Sequence, residues 1–179
     1  MSEAKTGKEF ITHELDEAIA VQRAIVKAEE SLSREHPSAS AKRALKTSLK
    51  EDRGFLRQLE TLGRRYGASG KAEEVAQALD QLMTETSEKA AEADSEAYEA
   101  HAVLLNLKRK QQDSGSAMLK IARAVKDTEM RDAAREFATA TKASAQLLAT
   151  ELADFAVTIA TADGNGSRSR QRTGSRASA

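Results

Sequence analysis

The chain has no cysteine and no tryptophan, a single proline, four phenylalanines and two tyrosines. Without cysteine there is no disulfide frame, no thiolate zinc site and no cysteine nucleophile. With one proline, long helices can run unbroken over most of the chain. No apolar run approaches the roughly 20 residues that cross a bilayer, so no membrane partner is expected. The first residues, MSEAKTGKEF, are polar and unlike a secretory signal. These features together predict a cytoplasmic protein. The 28 basic and 28 acidic side chains cancel, which removes any global pull toward nucleic acid or lipid. Phosphate-cradling glycine loops are missing, and no Ser/His/Asp arrangement has supporting local sequence. These absences weigh against an enzyme.

Alanine is abundant, at 34 of 179 residues. It is the strongest helix former, and its small side chain lets helices approach closely. The composition predicts an all-α protein with a thin core. A second copy would bury more apolar area, so a homodimer is an expected partner.

Residues 1–7 are expected to be flexible, residues 8–163 to form one helical bundle, and residues 164–179 to be a disordered tail. A first helix over residues 8–33 has the stripe Ile11, Leu15, Ala18, Ile25, Ala28 and Leu32, with Gln22 in the slot between Ala18 and Ile25. Pro37 breaks the chain, and Ser38 or Ser40 can cap the next helix. That second helix, residues 40–66, has Leu45, Leu49, Leu56, Leu59 and Tyr66 on its stripe, with Asp52 in a seam slot. Gly67 and Gly70 end it. Residues 71–112 form either one helix or a connector helix and a main helix broken near 84–87. Gly115 reads as the next terminator, within a turn over residues 113–116. A last helix is expected over residues 117–161, with an interruption near 126–128. The tail carries four arginines and no acid, a composition that would give weak, salt-sensitive contact with nucleic acid.

Polar residues on the seams are the candidate site. Bundles of this kind build two-metal centres from inward carboxylates on facing helices. The candidate ligands are Glu51, Asp52, Glu96 and Glu99, with iron or manganese as the metal. The last two stand three residues apart and share a helix face. The competing reading makes Gln22 and Asp52 satisfied polar residues that hold register in a weak core. The three histidines, His13, His36 and His101, read as structural or exposed, with His36 solvated in a turn.

Phe10–Leu15 with Gln22–Ala28, Ser48–Asp52 with Leu59-Glu60, and Glu96–Ala100 resemble the first three helices of the bacterial YciE/YciF-type ferritin-like family. The resemblance implies an antiparallel four-helix ferritin-like bundle with a connector helix between its two hairpins, and a stress-associated role. Gln22 stands where that family has Glu, and Ser48 and Ala97 stand where it has His. One register places Ala140, Thr141 and Ala145 at its fourth-helix ligands. Only Glu51, Glu96 and Glu99 persist. The expectation is thus a degenerate, non-catalytic bundle acting as a stress-associated or interaction module, with metal binding as the alternative.

Overall fold

The computed structural model describes residues 6–171, apart from the side chains of residues 73, 74, 80, 85–88 and 163–171. It is all-helical over these residues: α1 is Gly7–Glu35, α2 Ala39–Tyr66, α3 Glu73–Lys89, α4 Asp94–Ala124 and α5 Thr128–Gln171. Helix α1 packs on α2 and α4, and α5 packs on α2 and α4. Helix α3 lies against α1 and α4. No helix among the described residues is long and apolar enough to cross a membrane.

The helices begin and end for local reasons. The His36 N–H returns to Leu32 O at 2.9 Å, and Pro37 then prevents α1 from continuing. The Ser38 hydroxyl accepts from Ala41 N at 3.3 Å and caps α2. Gly67 closes α2 at φ +81°, a left-handed conformation that other residues adopt only under strain. Beyond it, the Asp16 carboxylate accepts the Ser69 and Gly70 N–H groups at 2.6 and 2.7 Å, tying the turn to α1.

Two boundaries differ from expectation. The break between α3 and α4 falls at residues 90–93, not near 84–87. The expected turn at residues 113–116 is helix throughout, because α4 runs on to Ala124. Gly115 lies inside α4 at the contact with α5, where an added Cβ would stand 3.0 Å from Phe137 Cδ1 and 3.1 Å from Ala138 Cβ. It serves close approach between helices rather than termination. The turn is at residues 125–127, at the interruption expected near 126–128, and Lys126 there takes φ +59°. There Asp127 caps α5, its Oδ1 accepting from Met130 N at 2.9 Å, while its Oδ2 accepts from Tyr66 Oη. The hydrogen bonds from Tyr66 and Met130 hold the Asp127 carboxyl below the usual range. Asp127→Ala removes both the cap and a tie to α2. A loss of about 1–2 kcal/mol in denaturant unfolding is expected, with Asp127→Asn losing less. Helix α5 also enters the segment expected to be a tail and reaches Gln171; the rest of that segment, and residues 1–5, lie outside the described residues.

A heptad register runs through α1, α2, α4 and α5. On α1 and its cap, Ile11, Leu15, Ala18, Gln22, Ile25, Glu29, Leu32 and His36 come at alternating steps of four and three, and all are buried. On α4 the same steps give Ala97, His101, Leu104, Lys108, Gln111, Gly115, Met118 and Ala122. On α2 they include Leu45, Ser48, Asp52 and Leu59, and on α5 Phe137, Thr141, Ser144 and Leu148. This average step of 3.5 keeps one seam of each helix facing its neighbours. Two apolar clusters result. One contains Ile25, Leu32, Leu45, Leu104 and Leu148, the other Leu15, Ile19, Leu59, Met118 and Phe137. Gln22, Asp52, Lys108, Gln111, Thr141 and Ser144 occupy seam positions between these clusters.

Candidate functional site

Lys108 is the centre of the polar layer. Its heptad position aims the chain inward, and its side chain is 0% exposed. The ammonium contacts Asp52 Oδ2, lies 2.8 Å from Glu29 Oε1, and donates to Ser48 Oγ and Ser144 Oγ at 2.7 Å each. Groups from α1, α2 and α5 therefore meet on a lysine from α4. Ser48 Oγ also donates to Asp52 Oδ2 at 3.1 Å. Gln22 Nε2 donates to Asp52 Oδ1 at 2.8 Å, and Gln111 Nε2 to Gln22 Oε1 at 2.9 Å and to Ala18 O at 2.8 Å. An amide chain thus orients the far oxygen of Asp52 while the Ser48 hydroxyl and the lysine hold the near one.

Glu29 is less well served. Its Oε1 is in ion-pair range of Lys108, but off the direction of a good hydrogen bond, and neither of its oxygens accepts one. Burial is the largest effect on this carboxyl; it outweighs the attraction of Lys108 and pushes the pKa up to about 8. Near neutral pH, then, Glu29 is largely protonated.

A second buried polar pair lies in the apolar cluster beyond this layer. His36 is fully buried rather than solvated. Its Nδ1 accepts from Ser38 N at 3.1 Å, which leaves Nε2 to carry the proton facing His101 Nδ1 at 3.4 Å. The ring also packs on Phe155, centroid to centroid at 4.6 Å. Burial lowers the pKa of both, His101 to about 4. They form a neutral structural pair.

The expected ligands do not converge. Glu51 and Glu99 are exposed, Glu96 is half-buried, and only Asp52 is in the polar layer. Among the described residues, one trio of potential ligands lies within 4.8 Å of one another: His13, Glu14 and Glu17 on the first turns of α1. Glu17 there is engaged by Lys110 at 2.5 Å. Sequence reasoning missed Lys108 and Glu29. Both fall on the heptad seam, and that register was the signal. Next to them stand the apolar residues Ala28 and Leu107, which are buried as well and drew the stripe to themselves.

A surface groove of about 660 Å³ between α1 and α3 is lined by residues such as Ala20, Arg23, Lys27 and Gln77 and does not reach the lysine cluster. No protein family, curated protein or solved structure matches the chain.

Proposed function

We propose that the chain is an antiparallel, ferritin-like four-helix bundle that works as a non-catalytic interaction module, its centre held by Lys108 rather than by metal. One observation carries this reading: a buried ammonium occupies the middle of the polar layer, in contact with Glu29, Asp52, Ser48 and Ser144. Lys108 already neutralises the Asp52 carboxylate and Glu29 holds its own proton, so a divalent ion entering there would meet repulsion from Lys108 and few free ligands. Among the described residues, Glu29 and Asp52 are the carboxylates on the cluster, and Gln22 offers a neutral amide. The heptad seams and the two hairpin pairs, α1 with α2 and α4 with α5, support the architecture.

Anaerobic addition of Fe(II) or Mn(II), desalting and elemental analysis test the reading. The chain is expected to retain far less than one metal per molecule. Lys108→Glu, which exchanges the central cation for a third carboxylate, is expected to raise retention to a stoichiometric amount. Two metals held by the unsubstituted chain, and lost on changing Glu96 and Glu99 to Gln, would contradict the proposal.

A further inference from the structure

The lysine cluster holds more than a register-fixing ion pair requires. A nucleophile, an electrophile and a proton carrier stand together in a dry interior. Lys108 Nζ touches the carboxyl of Asp52, a residue 56 positions away in the chain. Gln22 Nε2 donates to Asp52 Oδ1 at 2.8 Å, on the oxygen where negative charge would develop if the carboxyl carbon were attacked. Gln111 holds the Gln22 amide in that orientation. Glu29 Oε1 lies 2.8 Å from the same Nζ. Every one of these side chains is at most 3% exposed.

We propose that Lys108 and Asp52 condense to a spontaneous intramolecular amide, a covalent cross-link between α4 and α2. Once a proton has passed from the Lys108 ammonium to Asp52, the freed Nζ lone pair forms a bond to Asp52 Cγ and the Cγ–Oδ2 bond breaks. Oδ1 becomes the amide oxygen, still held by Gln22. Nζ gives up two protons, and both leave on Oδ2 as one water. Glu29 carries a proton from Nζ to the departing oxygen and ends unchanged. No oxidant, reductant or other reactant takes part. The driving force is physical: burying two charges is costly, and condensation replaces them with one neutral amide and a released molecule of water. Preorganised contact replaces the encounter that makes the same reaction slow in solution. The pKa of Glu29, about 8, suits a group that must both take and give a proton near neutrality. Asp52 rather than Glu29 is the electrophile because only Asp52 has a donor on its far oxygen.

Intact-mass spectrometry of the denatured full chain reads the result. The chain is expected to be lighter than its sequence mass by one water. Tryptic digestion is expected to yield a branched peptide joining Glu51–Arg53 to the segment that carries Lys108, which remains uncleaved after that lysine. Glu29→Gln is expected to leave the full sequence mass. Full mass in the unsubstituted chain overturns the proposal whatever the variants do, and so does a branch at Glu29. Unchanged closure in Glu29→Gln overturns the proton-carrier role. Metal retention is a separate readout, so this inference and the functional reading can fail independently.

Discussion

Lys108→Ala is expected to destabilise the bundle by about 3–5 kcal/mol. The substitution leaves the Asp52 carboxylate buried without its cation, removes the partner of two buried hydroxyls and opens a cavity between the apolar clusters. In a chain of this size the fall in Tm is on the order of 10 °C. The contrast that identifies the cause is a triple replacement, Glu29→Leu, Asp52→Leu and Lys108→Met. It removes all three ionisable groups together and is expected to recover most of the loss, because a buried ion pair is worth little against well-packed apolar groups. If the triple variant were as unstable as Lys108→Ala, volume and not charge would be the cause. Surface pairs such as Arg23–Glu60 at 2.7 Å are half-exposed, and breaking them is expected to change stability by no more than about 1 kcal/mol.

The second large effect is on pH. Glu29 keeps its proton in the folded chain up to about pH 8, while the unfolded chain releases it near the usual 4.5. The folded state therefore binds more protons through that interval. Stability is full at low pH, falls as pH rises from 4.5, and levels off above 8, with a slope on the order of 1 kcal/mol per pH unit. Amide closure would remove the cation that lowers this pKa, so it leaves the direction unchanged. His101 acts in the opposite sense. Its folded pKa is about 4 against a usual 6.5, so the unfolded chain binds more protons between these values and stability falls as pH drops through them. The two slopes oppose each other between about 4.5 and 6.5, and the Glu29 slope stands alone from 6.5 to 8. Urea unfolding across pH is expected to show a plateau and then an alkaline decline, and Glu29→Gln is expected to flatten that decline. A decline unchanged by the substitution would assign it to another group.

The sequence made the helical class and the first two helices readable. Their ends are written in residues with one conformational use each: Pro37 after α1, Ser38 before α2, Gly67 after it. The second half was harder. Gly115 looks like a terminator in isolation, because the same missing Cβ serves a turn or a close helix contact, and only the Phe137 and Ala138 side chains distinguish them. The interruption expected near residues 126–128 coincides with the real end of α4 at Val125 and Lys126, but Gly115 drew the turn to itself. For the site, the sequence pointed to Gln22 and Asp52 because a lone polar residue interrupts each stripe. Lys108 lies in the run Lys108-Arg109-Lys110, which reads as a solvated charged face, and Glu29 precedes Glu30 in the same way. Burial of a lysine depends on partners from three other helices, and those partners are at distant positions in the chain.

A bundle centred on a buried ammonium requires Lys108 to be enclosed while its neighbours are in water. Lysine acylation of the folded Glu29→Gln chain, in which Nζ is expected to stay free of the amide, read by peptide mass spectrometry, tests this directly, with Lys110, two residues away and 45% exposed, as the internal reference. Lys110 is expected to be acylated readily, and Lys108 to remain unmodified for as long as the chain stays folded. Acylation of Lys108 at a rate comparable to Lys110 would contradict its enclosure and, with it, the lysine-centred bundle.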